Sequence, residues 1–377
     1  MKSTLTLLSV FGWLFSVTPA AANDCLIGFD VGSSGLRAGS LTSDKTAKVK
    51  VDYLADLWPD NRIDVTTDSS VAAFKKLPEE IGMKGCLSLA GGYSAWRLAM
   101  EKGKPGDVAR SLAEFHQRTG VYFFVIPQDV EGAYGYAAAR QAMGEHLTTP
   151  FIIDIGGGSL QIASQQDGWG APLGQKSWRK LFCEQVKHST DANCPPNPAG
   201  KEAVEKSRQT LAPFVSQAIK KLGQGLAITA VSPLVVHGMH PVMRILAEKN
   251  PGMAAGVDAR GFSRAALAAA IALLADKDDP QILKALANCR REDGKPTCQE
   301  QFVATFVSDM LLLHALMEGM QIDRIEVGEA DITNVPGILA DPRPKAWSQH
   351  YACYLTRLES QGIAAFTSDP GTCPPEP

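Results

Sequence analysis

The chain has 377 residues, of which 45% are hydrophobic and 20% charged, an ordinary globular composition that supports two domains with a core each. The formal net charge of −3 at pH 7 provides no basic excess to neutralise a nucleic-acid backbone, so no nucleic-acid partner is expected.

The first 22 residues have the pattern of a signal peptide. Lys2 is their only charge, an apolar stretch runs over residues 5–17, and alanines at 20–22 offer a cleavage site. The apolar stretch is shorter than the roughly 20 residues that span a bilayer. We therefore expect a periplasmic or secreted protein that keeps no membrane association after cleavage.

The first half of the mature chain has an alternation of strand and helix patterns. Three strands are predicted over residues 25–55, since "CLIGFDVG" and "LRAGSL" flank a Gly/Ser turn and "AKVKVDYLADL" alternates apolar and polar residues. Strands "GCLSLAG" and "VYFFVI" follow, with a helix through "DVARSLAEFHQRTG" between them. A helix, "VEGAYGYAAARQAMG", then leads to "FIIDIGGGSLQIAS", which repeats the opening plan of strand, turn and strand. The repeat predicts two related lobes, residues 23–146 and 147–342.

The second half is mainly helical. The pattern predicts a long helix over residues 202–222, a strand "AITAVS", a buried helix over 265–275, further helices through residue 319 and a late strand "RIEVGE". Residues 343–377 are predicted to be a C-terminal tail that ends in turn and coil, "DPGTCPPEP".

All eight cysteines follow the expected cleavage point. An even number in an exported chain favours disulfides over free thiols. Proximity in the sequence favours three short bridges and leaves one long-range bridge. The expected pairs are Cys183–Cys194, Cys289–Cys298, Cys353–Cys373 and Cys25–Cys86.

Each predicted lobe opens with a strand that ends in an aspartate and a turn of small residues, "FDVGSSGLRAG" and "IIDIGGGSLQI". Small side chains let backbone N–H groups approach a ligand closely. Either turn alone could be a simple hairpin, but two such loops across a cleft can clamp a phosphate chain. Asp30 and Asp154 would then hold a hydrated divalent cation, Mg²⁺ or Ca²⁺. The predicted phosphate-binding residues of the turns are Gly32, Ser33, Ser34, Gly35, Gly156, Gly157, Gly158 and Ser159.

The two turns resemble the phosphate motifs of the actin/hexokinase/Hsp70 superfamily. "DIGGGS" is similar to the second motif of the exopolyphosphatase/guanosine-pentaphosphate phosphatase (Ppx/GppA) family, whereas "FDVGSSG" is nearer to the first motif of apyrases, the nucleoside triphosphate diphosphohydrolases. The resemblance covers about residues 25–342. It implies an α/β, two-lobed actin-like ATPase (ribonuclease H-like) fold with a central cleft.

The same resemblance assigns roles to an arginine and a glutamate. In "LSLAGGYSAWRLAM", Arg97 matches an arginine that contacts phosphate in both families, although the motif opens with Ala90-Gly91 in place of Ala-Thr. In "VIPQDVEGAYGYAA", Glu131 aligns with the catalytic glutamate, the carboxylate that orients and deprotonates the attacking water. The spelling "EGAYGY" is closer to apyrases, whereas the interval to Asp154 resembles exopolyphosphatases. The alternatives are a solvent-facing arginine and an exposed glutamate on a first helical turn.

The sequence therefore predicts a hydrolase of terminal phosphoanhydride bonds, with polyphosphate as the favoured substrate. One alternative is an apyrase-like nucleotidase, for which Trp178 and Phe182 are the nearby candidates for an aromatic clamp on the base. Another is a phosphate-chain-binding protein without turnover. A homodimer is left open.

Overall fold

The computed structural model describes residues 25–191, 193–286, 300–328 and 332–374, without the side chains of 300–302. The predicted signal peptide and the Cys289–Cys298 pair lie outside the described residues. No helix within these ranges has the length and apolarity needed to cross a membrane.

The first lobe is built on a five-stranded sheet with the strand order β3-β2-β1-β4-β5. Strand β1 pairs antiparallel with β2 and parallel with β4. Alternate residues of β1, Ile27, Phe29 and Val31, are fully buried, as the period of two requires. The strands are β1 (Leu26–Val31), β2 (Gly35–Gly39), β3 (Ala47–Lys50), β4 (Leu87–Gly92) and β5 (Tyr122–Val125).

Helices cover this sheet and connect it to the second lobe. The third predicted strand ends at Lys50, because Asp52 caps a short helix by accepting a hydrogen bond from the Ala55 N–H. Helix α4 begins with a proline at its first position and ends at Gly120, whose φ of 74° favours glycine. The helices are α1 (Tyr53–Leu57), α2 (Thr67–Glu80), α3 (Ser94–Lys102), α4 (Pro105–Thr119) and α5 (Gln128–Met143).

The second lobe has a seven-stranded sheet with the strand order β10-β11-β12-β9-β6-β7-β8. Its strands are β6 (Phe151–Ile155), β7 (Leu160–Ala163), β8 (Gly168–Ala171), β9 (Ile228–Ala230), β10 (Val257–Asp258), β11 (Gly261–Ser263) and β12 (Arg324–Val327). Its helices are α6 (Gln175–Leu181), α7 (Ala203–Leu222), α8 (His240–Lys249), α9 (Pro251–Ala254), α10 (Arg264–Leu274), α11 (Asp279–Ala285) and α12 (Glu300–Gly319).

The C-terminal segment differs from the predicted tail. It forms α13 (Val335–Ala340), α14 (Pro342–Ser348) and α15 (Tyr351–Gln361), and it returns to the core of the first lobe. Tyr351 and Tyr354 accept hydrogen bonds from the Phe123 and Val125 N–H groups of the edge strand β5, at 3.1 and 2.8 Å. Pairing an otherwise open sheet edge, together with burial of aromatic rings, makes these helices part of the first lobe.

Three of the four expected disulfides lie within the described residues. The Cα–Cα distances are 4.9 Å for Cys25–Cys86 and 6.1 Å for both Cys183–Cys194 and Cys353–Cys373. Cys25–Cys86 joins the starts of the paired strands β1 and β4, and Cys353–Cys373 fastens the chain end to α15. The three pairings agree with the sequence prediction.

Candidate active site

Residues of both lobes line one cavity of about 600 Å³. The two glycine turns meet there with Asp30 and Asp154, the two aspartates of the repeated motif, and with Glu131. Among the predicted site residues, the lining includes Asp30, Gly32, Ser33, Ser34, Gly35, Glu131, Asp154, Gly156, Gly157 and Ser159. The lining does not include Arg97 and Gly158, whose positions are described below.

The two turns touch each other across the cavity. A Cβ atom placed on Gly157 would lie only 2.4 Å from the Ser33 Oγ and 3.0 Å from the Ser34 Oγ. On Gly158 it would lie 2.7 Å from the Ser94 Oγ and 2.9 Å from the Leu54 Cδ1, so this glycine packs against the first lobe. A side chain at either position would therefore force these serines to move, so glycine lets the lobes approach closely.

Asp30, the fifth residue of β1, lines the cavity. Its Oδ2 accepts a hydrogen bond of 2.9 Å from the Asn334 N–H, which precedes α13. Burial raises the pKa of Asp30, while the Asn334 N–H and the charge of Arg37 oppose that rise. In the sheet, Asp30 pairs with Arg37 on β2 and with Gly91 on β4.

Asp154 occupies the matching place on β6 of the second lobe. Burial, with the negative charges of Glu131 and Asp30 nearby, raises the pKa of Asp154 to about 7. The three carboxylates thus repel one another, and a bound cation would reduce this repulsion. In the described part of the chain, no three His, Cys, Asp or Glu side chains form a metal cage. Two carboxylates fit Mg²⁺, which keeps waters and takes substrate phosphates as its remaining ligands.

Glu131 lies in the first turn of α5 with only 9% of its surface exposed. The Arg97 Nη2 and the Gln161 Nε2 both donate to its Oε2, at 2.6 and 2.8 Å. Arg97 is 5% exposed and also donates to the Ile126 carbonyl at 3.0 Å and to the Ser159 Oγ at 3.3 Å. Burial raises the pKa of Glu131, and the charge and hydrogen bond of Arg97 oppose that rise.

These contacts exclude the two surface alternatives for the pair, a solvent-facing arginine and an exposed glutamate. The geometry makes Arg97 a buried partner that fixes Glu131. A contact of Arg97 with phosphate stays a prediction.

No protein-family model matches the sequence, and neither does any curated protein. Among solved structures, a Ppx/GppA family member from Aquifex aeolicus is similar with a TM-score of 0.58 at 14% identity, over 83% of this chain and 95% of that chain. The type II variant of the Aquifex aeolicus Ppx/GppA phosphatase gives 0.56 at 13% identity, over 83% and 97%. An exopolyphosphatase from Cytophaga hutchinsonii gives 0.54 at 12% identity, over 83% and 96%.

This chain has the fold of the Ppx/GppA proteins. The predicted resemblance and the α/β, actin-like ATPase fold class are thereby confirmed. Because the identities are this low, the likeness establishes the fold, and the activity is argued from the site.

Within this Ppx/GppA fold, Lys176 is a cavity residue that the sequence analysis missed. Its Nζ donates to both carboxylate oxygens of Asp52 at 2.7 Å, so it joins the start of α6 in the second lobe to the cap of α1 in the first. The first N–H groups of α6 also hold the second turn, since Gln175 and Lys176 donate to the carbonyls of Gly156 and Gly157 at 2.8 and 2.7 Å. No local pattern in "GQKSW" indicates this role.

Two more lysines were missed, Lys48 and Lys50 on the edge strand β3. Both are exposed and line the cavity. Lys48 pairs with Arg37 in the sheet, and Lys50 lies two residues further along the same face. The alternation in "AKVK" was a signal for this cationic face, but only the pairing with β2 directs it to the cavity.

Proposed function

We propose that this protein is an exported phosphoanhydride hydrolase that releases terminal phosphate from polyphosphate. The observation that carries the proposal is that Asp30, Glu131 and Asp154, from both lobes, line the same cavity as the two glycine turns. Backbone N–H groups of such turns bind phosphate oxygens, and a buried carboxylate beside them can act on water.

Glu131 is the proposed general base. Its burial raises its pKa, which makes the ionised carboxylate a stronger proton acceptor. Since Arg97 and Gln161 both donate to Oε2, we assign proton uptake to Oε1. Water then attacks the terminal phosphorus directly, without a covalent enzyme intermediate. Mg²⁺ or Ca²⁺ held by Asp30 and Asp154 would neutralise charge on the phosphoryl oxygens.

The walls of the cavity favour a phosphate chain over a nucleotide. Lys48 and Lys50 line it and offer charge to an extended polyanion, and Lys176 lines it while paired with Asp52. Trp178 and Phe182, the candidates for a base clamp, are fully buried in the core of the second lobe, and the Trp178 Nε1 donates to the Ser308 carbonyl at 2.6 Å. Neither ring can stack on a nucleobase.

Export is supported by the three described disulfides, since such bridges persist in oxidising compartments. An oxidising compartment also argues against guanosine pentaphosphate, a cytoplasmic signal, as the substrate. Fractionation of the source cells, followed by detection of the protein with an antibody, tests this part of the proposal. Recovery of the protein in the cytosol with reduced cysteines contradicts it.

The activity is tested by phosphate release from long-chain polyphosphate, ATP and ADP with added Mg²⁺ or Ca²⁺. We expect release from polyphosphate, lost in Glu131→Gln and retained in Glu114→Gln, which alters an exposed glutamate of α4. Release from ATP and ADP but not from polyphosphate would identify an apyrase-like nucleotidase. Polyphosphate binding with no release from any substrate would identify a binding protein.

A further inference from the structure

We infer that the hydroxyl group of Tyr93 positions the attacking water together with Glu131, a role that rests on the proposed function. Tyr93 follows β4 directly and lines the cavity. It belongs to neither glycine turn, and no motif in the sequence predicted it as a site residue.

The ring of Tyr93 folds back over Gly91. A Cβ atom on Gly91 would lie 2.6 Å from the Tyr93 Oη and 2.9 Å from its Cζ. Gly91 is the register partner of Asp30, and paired residues on neighbouring strands direct their side chains to the same face, ~4.8 Å apart. The hydroxyl therefore occupies the space beside Asp30 that a side chain at position 91 would fill.

The Tyr93 hydroxyl is buried without a protein partner. Tyr93 is 1% exposed, and its Oη makes no hydrogen bond to the residues that the structure describes. Other buried tyrosines are paired: Tyr53 with the Ser70 Oγ at 2.8 Å and Tyr354 with the Val125 N–H at 2.8 Å. The hydroxyls of Ser207 and Ser232 are also buried and unpaired, but of these three residues Tyr93 alone lines the cavity, and its unpaired hydroxyl therefore points to a ligand there.

The charges around this hydroxyl indicate the ligand. Asp30 and Glu131 line the same cavity as Tyr93, and a phenol keeps its hydrogen at neutral pH, so the hydroxyl can donate to a ligand that the carboxylates also contact. Because it makes no direct bond to either carboxylate, a water between these groups is the natural partner. The place between the proposed cation ligand and the proposed base is also where the nucleophile belongs.

With the water in this position, the protons and bonds of the hydrolysis step balance. The water gives one proton to Glu131 while its oxygen forms a bond to the terminal phosphorus. The bridging P–O bond breaks, its electron pair leaves with the shortened chain, and orthophosphate keeps the water's second hydrogen. Glu131 then releases its proton to solvent. The Tyr93 O–H donates to the water's second lone pair, which fixes the direction of the lone pair that attacks.

Tyr93→Phe tests the inference because it removes one oxygen and keeps the ring over Gly91. We expect kcat for release from polyphosphate to fall roughly 10- to 100-fold, with KM and the affinity for polyphosphate unchanged. The matched control, Tyr53→Phe, should keep the wild-type kcat and lose thermal stability, since it removes the bond to Ser70. Tyr93→Phe should keep its stability, because it breaks no bond within the protein.

Gly91→Ala provides an independent variant, since its methyl group would displace the hydroxyl. It should lower kcat, because the methyl group would also lie 2.9 Å from the ring Cζ and would move the whole side chain away from the cavity. Equal kcat for Tyr93→Phe and the wild type, or a rise in KM in place of the fall in kcat, would overturn the inference. A wild type that releases no phosphate from any substrate refutes the proposed function itself, and the inference with it.

Discussion

The contact between Arg97 and Glu131 gives the sharpest test of how the site is held together. The side chains are 6% and 11% exposed, and the Nη2–Oε2 distance is 2.6 Å. Arg97→Met keeps much of the apolar length and leaves Glu131 without its cation. Removing one partner of a buried pair costs about 3–5 kcal/mol, because the remaining charge stays desolvated. Loss of the bonds to Ile126 and Ser159 acts in the same direction.

The same substitution should alter the pH dependence of turnover. Burial raises the pKa of Glu131 and Arg97 opposes that rise, so removing Arg97 raises this pKa further. More of the base is then protonated at a given pH, and the acidic limb of the kcat/KM profile moves to higher pH.

The assays are urea denaturation and phosphate release across pH 5–9, in the wild type, Arg97→Met, Glu131→Gln and the double variant. A neutral glutamine needs no cation, so the double variant should lose less stability than the sum of the single changes, by roughly 0.5–3 kcal/mol. Additive losses, or an Arg97→Met variant with the wild-type acidic limb, would refute this account of the pair.

Three further outcomes are expected. Glu131→Gln should reduce turnover by about 100- to 10,000-fold while leaving polyphosphate binding intact, as measured by release and by equilibrium binding. Lys176→Met should raise KM for polyphosphate by about 10-fold, because one charge-assisted hydrogen bond to the substrate is lost. It should change the free energy of unfolding by less than about 1 kcal/mol, since the ion pair with Asp52 is one-third exposed. Asp309→Asn should raise the free energy of unfolding, relative to the wild type, more at pH 8 than at pH 4. The folded pKa of Asp309, raised from 3.8 to about 7 by burial, lies above the unfolded value, so the carboxyl costs stability as pH rises between the two.

Each of these has a control and a contrary result. Wild-type turnover in Glu131→Gln means that the base is another group. Asp52→Asn removes the ion pair and leaves the charge of Lys176, so KM for polyphosphate should stay unchanged or fall. A rise in KM equal to that of Lys176→Met would show that substrate binding depends on the ion pair and not on the charge of Lys176. For Asp309, the difference in the free energy of unfolding between Asn and Asp should grow from pH 4 and level off above pH 7. A difference that is constant with pH contradicts the buried charge.

The sequence by itself determined the local elements and the kind of site. The strand at residues 26–31, the turn after Asp30 and the repeat of both before Asp154 follow from side-chain alternation and glycine content, which act over a few residues. The resemblance of those turns predicted the fold, and the aspartate near the end of each strand predicted that both carboxylates lie at one cleft.

Tertiary structure alone decided how the rest of the chain completes that cleft. The N–H of Asn334 reaches Asp30 because the C-terminal helices return to the first lobe, and Lys176 reaches Asp52 across the lobes. Tyr93 reaches the site only because glycine stands opposite Asp30 in the sheet register. Such contacts depend on strand pairing and packing between residues far apart in the chain, and periodicity within a segment does not encode its partner.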